Sequence, residues 1–226
     1  MLSVIKTGIM AVLASVGILG CATTAKDRYE ALNMISVCKA SPLEIDLGNS
    51  TRIGTTPVEG RLDDSKCLIL SERRTSHSSF QFIATSPTQE FEIQIFPKMR
   101  RLGFGGQHTL FLPELLVIDG VSLKSAKLES YFHETDMLHG KMHYFGFSVS
   151  DLVPGKSYYL LVTSNNSNPG SVLFSEKVAV PYYPQWSSEG PDMVPEYQLV
   201  LDASLFVGPF GDFTIKAGKN QRGKPK

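Results

Sequence analysis

Ser79-Phe-Gln-Phe-Ile83 and Phe91-Glu-Ile-Gln-Ile95 decide the fold class. Apolar and polar residues alternate in both, so Phe80 and Phe82 share one side of an extended chain. Phe91, Ile93 and Ile95 likewise share a side, with Glu92 and Gln94 opposite. This is the pattern of half-buried strands. Working outward, further β segments are expected at Leu43–Leu47, Cys67–Leu70, Leu110–Asp119, Leu128–Phe132, Tyr144–Val149, Tyr158–Thr163, Val172–Val180, Tyr197–Val207 and Phe213–Lys216. Turn signals separate most of them: Pro87, Asp119-Gly120, Pro154-Gly155, Asn168-Pro-Gly170 and the proline-rich stretch Pro181 to Pro195. Upstream, Ala25 to Val37 reads as a short helix, with Asp27 placed to cap it and Tyr29, Leu32 and Ile35 on one stripe; Pro42 lies beyond its end. A parallel sheet would need crossover helices of a dozen or more residues, and the sequence offers none. The expected fold is all-β, an antiparallel β-sandwich or jelly-roll-like domain preceded by a short N-terminal helix.

The first twenty residues carry one charge, Lys6, followed by the apolar run Gly8 to Leu19. That run is shorter than the roughly 20 residues of a permanent membrane helix and reads as an export signal. It ends in Ile18-Leu19-Gly20-Cys21, which resembles the bacterial lipobox, the sequence that directs diacylglycerol onto a cysteine thiol. The alternative is an ordinary secreted chain with a cysteine at that point. Two or three acyl chains, at about 0.8 kcal/mol per buried methylene, make release from a membrane negligible. By resemblance to enterobacterial sorting, Ala22 after the cysteine favours the outer membrane over the inner. The expected organisation is a signal peptide at 1–20, a lipidated N-terminus and helix at 21–42, a sandwich domain at 43–217 and a basic disordered tail at 218–226.

With Cys21 acylated, Cys38 and Cys67 are the remaining thiols in an oxidising compartment, and they can pair only with each other. Such a bridge would contribute about 3–4 kcal/mol in the chain-entropy model. Two buried reduced cysteines are the other reading.

Lysine plus arginine and aspartate plus glutamate number 22 each, so the chain has no net field to attract nucleic acid. Nucleophile-elbow, zinc-protease, phosphate-loop and calcium-loop motifs are missing from the sequence. Gly103-Phe-Gly-Gly-Gln-His108 begins like a dinucleotide loop, but it has His108 in place of the third glycine and reads as a mobile loop. His133, His139 and His143 lie close in sequence, and His139 with His143 has a spacing that could hold zinc. The simpler reading is polar positions in a loop between strands, so neither a metal nor a cofactor is expected. Glu129, Glu134 and Asp136 surround this region and leave glycan hydrolysis by a carboxylate pair open. Tyr182, Tyr183 and Trp186, the last being the one tryptophan, sit among prolines. They read either as a platform for sugar rings or as a packed loop over the sandwich edge.

Leu110-Phe-Leu-Pro-Glu-Leu-Leu-Val-Ile-Asp119, followed by Ser130-Tyr-Phe132, resembles a strand of the maltose operon periplasmic protein family. Gly155-Lys-Ser-Tyr-Tyr-Leu-Leu-Val-Thr-Ser164 is similar to a second family strand. The helix around Ala31-Leu32 and the proline-punctuated Pro191 to Pro195 complete the order. The resemblance spans Ala31 to Ala217 loosely and carries no catalytic residue. The chain departs from the family's enterobacterial members in its lipobox and in lacking an alanine- and proline-rich C-terminal extension. The resemblance implies a periplasmic, non-enzymatic accessory protein linked to carbohydrate uptake. The expected partners are a membrane, reached through the lipid, and a carbohydrate or an envelope or transport protein. An envelope glycan hydrolase and a structural outer-membrane lipoprotein that docks a partner are the competing readings.

Overall fold

Alternation at 79–83 and 91–95 drives Phe80, Phe82, Phe91, Ile93 and Ile95 into one shared core, where all five are buried. The computed structural model describes residues 25–35, 37–95, 98–99, 108–120, 122–136, 140–166, 168, 170–181 and 198–218. Helix α1 (Ala25–Met34) comes first, then the strands in chain order. These are β1 (Thr51–Arg52), β2 (Val58–Leu62), β3 (Cys67–Leu70), β4 (Arg73–Ile83), β5 (Gln89–Ile95), β6 (Lys98–Met99), β7 (His108–Leu110) and β8 (Pro113–Asp119). They continue with β9 (Ser122–Ser125), β10 (Lys127–Asp136), β11 (Gly140–Val149), β12 (Ser157–Ser164), β13 (Val172–Pro181), β14 (Gln198–Val207) and β15 (Gly211–Ala217). The first sheet has the order β1-β4-β12-β8-β9, with β3 also paired to β4; the second is β10-β11-β5-β15-β2; the third is β13-β14-β7-β6. Most of the described residues are in strands, and the fold is an all-β sandwich with a short N-terminal helix.

The core lies between the first two sheets. Phe80, Phe82, Leu160 and Val162 from one meet Phe91, Ile93, Phe147, Phe213 and Ile215 from the other. The rings of Phe82 and Phe91 cross edge to face at 4.9 Å, and those of Phe80 and Phe213 at 5.9 Å. Each such buried side chain contributes about 1.5–3 kcal/mol. A smaller cluster of Leu68, Leu116, Ile118 and Leu161 forms on the outer face of the first sheet, under Ile45 and Leu47.

That cover corrects one expectation. Leu43–Leu47 is not a strand: Pro42–Glu44 forms a 3₁₀ turn, with Ser41 as its cap accepting from the Leu43 amide. Proline at the first helical position, where its missing N–H costs nothing, starts the turn. The segment Leu110–Asp119 divides because Pro113 has no amide for a ladder; β7 pairs in the third sheet and β8 in the first. The pairings of β1 with β4 and of β14 with β7 are parallel, in a protein otherwise expected to be antiparallel. Helix α1 stops at Met34, short of Val37, and the Arg74 guanidinium donates to the carbonyls of Asn33 and Ile35 at its end. Tyr29 and Leu32 are its buried residues.

Cys38 and Cys67 form a disulfide, their Cα atoms 4.6 Å apart, so the reduced alternative does not hold. The bridge ties the segment after α1 to β3, which is itself paired with β4.

Candidate functional site

A groove of about 590 Å³ runs along one seam of the sandwich, between β1 and β4 of the first sheet and β2 and β15 of the second. Its floor is made by Phe80 and Phe213 and its walls by Thr51, Ser78, Ser79 and the charged residues of β2 and the turn after it. The floor depends on Gly60. A Cβ there would lie 2.3 Å from Cζ of Phe213 and 2.8 Å from Cζ of Phe80, so no larger residue fits while both rings keep their places.

One residue further along, the strand alternation turns Arg61 outward. Asp212 stands directly opposite it on β15. The Arg61 Nε lies 3.6 Å from an Asp212 carboxylate oxygen and 3.5 Å from one of Asp63. About two thirds of the Arg61 side chain is exposed. Exposed pairs of this kind contribute about 0–1 kcal/mol, so the guanidinium can exchange them for a ligand at little cost. Burial pulls the Asp63 carboxyl upward, but the Ser65 hydroxyl and amide, together with the charges of Arg61 and Lys66, hold it below the ordinary carboxylate range. The groove thus presents a cation, acceptor oxygens and hydroxyls, with the almost fully buried rings of Phe80 and Phe213 beneath them.

The histidines are placed differently from the loop expected of them. His133 on β10 and His143 on β11 are directly opposite in register, with ring centroids 5.9 Å apart. Tyr131 stacks on His143, its hydroxyl 2.9 Å from Nδ1. Burial pushes the Tyr131 phenol up. His139 lies outside the described residues, among which no group of three or more histidine, cysteine or acidic residues could hold a metal ion. Of the acidic residues around this hairpin, Glu129 is held by the Ser148 hydroxyl and the Lys127 ammonium, both of which lower its carboxyl. Glu134 and Asp136 belong to β10, opposite Met142 and Gly140. Neither Glu129 nor Glu134 lines the groove.

A second, smaller concavity of about 400 Å³ lies on the outer face of the second sheet. There Lys216 Nζ meets Glu92 at 2.8 Å, and the Gln94 amide donates toward Met142 Sδ and the Tyr144 hydroxyl.

Cys21, Tyr182, Tyr183 and Trp186 lie outside the described residues, as do the glycine-rich stretch at 103–107 and the tail from 219 onward. Arg61, Asp63 and Asp212 were not singled out by sequence reading, because strand pairing alone brings 61 and 212 together. The available signal was Gly60 within an otherwise strand-like Val58–Leu62, since a glycine inside a strand marks close backbone approach.

In comparisons with known proteins, no family model, no curated protein and no solved structure matches the chain.

Proposed function

We propose that the protein is a lipid-anchored periplasmic accessory protein of the maltose operon periplasmic type, which holds a carbohydrate in the seam groove without cleaving it. The observation that carries this reading is Arg61 set between two carboxylates above the Phe80 and Phe213 floor. Sugars offer donors and acceptors around an apolar ring, and a groove of this size falls within the roughly 300–1,000 Å³ usual for small-ligand sites. Asp63, kept below the ordinary range, accepts hydrogen bonds from hydroxyls at neutral pH. A glycosidase acid needs the opposite, a carboxyl raised so that it keeps its proton. The disulfide suits an exported chain, and the likeness of Ile18-Leu19-Gly20-Cys21 to the lipobox supports Cys21 as the proposed acylated residue. Tyr182, Tyr183 and Trp186 are proposed to add an aromatic contact to the sugar.

The test is titration of the mature protein with maltodextrins and a panel of envelope glycans, followed by mass analysis of the recovered sugar. Quenching of the one tryptophan, Trp186, reports any contact with the aromatic stretch. An oligosaccharide recovered intact, with affinity reduced about tenfold or more by Arg61→Ala at unchanged melting temperature, is expected; tenfold corresponds to about 1.4 kcal/mol. Shortened products would replace this reading with the hydrolase. Binding to no glycan at all would leave the structural lipoprotein.

A further inference from the structure

The two ends of β4 define two poles of the sandwich. β4 runs from Arg73 to Ile83, a span of about 33 Å at roughly 3.3 Å per residue. At the Arg73 end, α1 is held in three ways: by burial of Tyr29 and Leu32, by Arg74 on its C-terminal carbonyls, and by the Cys38–Cys67 bridge just beyond it. Tyr29 is buried against Ser164, at the end of the neighbouring strand β12, so the helix contacts the ends of two core strands. At the Ile83 end the chain turns through Val153 to Lys156, whose backbone bonds to Ala84.

Three residues separate Cys21 from the first residue of α1. The four virtual bonds between them reach at most about 14 Å, and α1 itself is about 15 Å long. A lipid on Cys21 is therefore tied within that reach of the first residue of α1, and Met34 stands one helix length, about 15 Å, beyond that residue. Met34 and Val37, at and just past the helix end, are 80% and 81% exposed, more than any other large apolar side chain among the described residues. The exposed charges of α1, the segment after it and the start of β4, Lys39 and Arg73 with Asp27, Glu30 and Glu72, are of mixed sign and make no basic cluster that would draw the pole to anionic lipid.

We propose that the α1 pole is the membrane-contacting end of the protein, and that Met34 and Val37 enter the lipid interface beside the acyl anchor. This rests on the lipid-anchor reading above. It sets the sandwich on end, with Phe80 of the groove six residues along β4 from Arg74, about 20 Å, while the other end of the groove reaches toward the pole, where the Ser76 hydroxyl donates to the Asp63 carbonyl.

The test uses the full lipoprotein, purified from membranes and reconstituted into phosphatidylethanolamine and phosphatidylglycerol vesicles. Met34→Cys, Val37→Cys and Val153→Cys are each labelled with an environment-sensitive fluorophore under non-reducing conditions, where the acylated Cys21 and the disulfide do not react. Lipids carrying a nitroxide near the headgroup then quench according to depth. Several-fold stronger quenching at 34 and 37 than at 153 is expected. Vesicles that float with the protein but quench all three labels alike, or 153 more strongly, would overturn the proposed pole while leaving the anchor intact. A chain that carries no fatty acid and does not float would remove the anchor and the pole together. Protection of 34 and 37 in native envelopes but not in protein-free vesicles would assign the pole to a protein partner instead, and would also overturn the proposal.

Discussion

Gly60 shows how one position can serve both packing and site. The rings of Phe80 and Phe213 occupy the volume a side chain would take, and in doing so they form the groove floor. Gly60→Ala is expected to force those rings off their rotamers and destabilise the protein by about 1–3 kcal/mol, measured as a lower urea midpoint at unchanged slope. His77 offers a different residue-scale test. It is buried on β4, and burial, with the nearby Lys66 charge, depresses its imidazole below the ordinary 6.5 against a weaker opposing bond from the Lys66 carbonyl. The unfolded chain then binds more protons than the native one below that value. Stability attributable to His77 is complete above pH 6.5 and is lost as pH falls from there toward the depressed pKa. Comparing urea midpoints at neutral and mildly acidic pH should show a drop in the wild type that is smaller in His77→Gln. The low Asp63 carboxyl acts in the same direction but only as pH falls below its ordinary 3.8, outside that comparison.

At the scale of elements, the strands with unbroken alternation were legible. Phe91, Ile93 and Ile95 face inward as their spacing requires, and β15 follows the same rule, whereas β12 is a continuous apolar run covered on both faces. β2 was not legible, because its middle inward position is Gly60: the apolar pattern has a gap there that rings from other strands fill. The first half of β4 hid for a related reason. Thr75, Ser76 and His77 are polar yet buried, satisfied in part by the bond from the Thr75 hydroxyl to the Ser164 carbonyl and that from Ser76 to Asp63. The histidine region read as a loop because polarity was taken for exposure, whereas β10 and β11 run as a long hairpin through it. The seam groove was invisible for a topological reason, since β2 and β15 come from opposite halves of the chain. The Cys38–Cys67 bridge, by contrast, followed from there being one remaining partner for each thiol. It closes a separation of 29 residues, and Cys38→Ala with Cys67→Ala should lower unfolding free energy by about 3–4 kcal/mol in urea denaturation. Little change would mean that the helix and 3₁₀ turn hold the N-terminal segment in place without it.

For the whole molecule, the features combine into a sandwich fastened at one end and open along one side. One hydrophobic core joins the two sheets, so Arg61 and Asp212 stand on paired strands, while Asp63 is presented from the turn that follows β2. Neutral net charge gives no long-range pull toward an anionic surface, so in the proposed reading attachment rests on a lipid at Cys21. Metabolic labelling with a fatty-acid probe, in cells making the wild-type chain or Cys21→Ser, tests the attachment itself. Label in the wild type and none in Cys21→Ser is the expected result; label that persists in Cys21→Ser, or that never enters the wild type, would contradict a protein anchored through this cysteine.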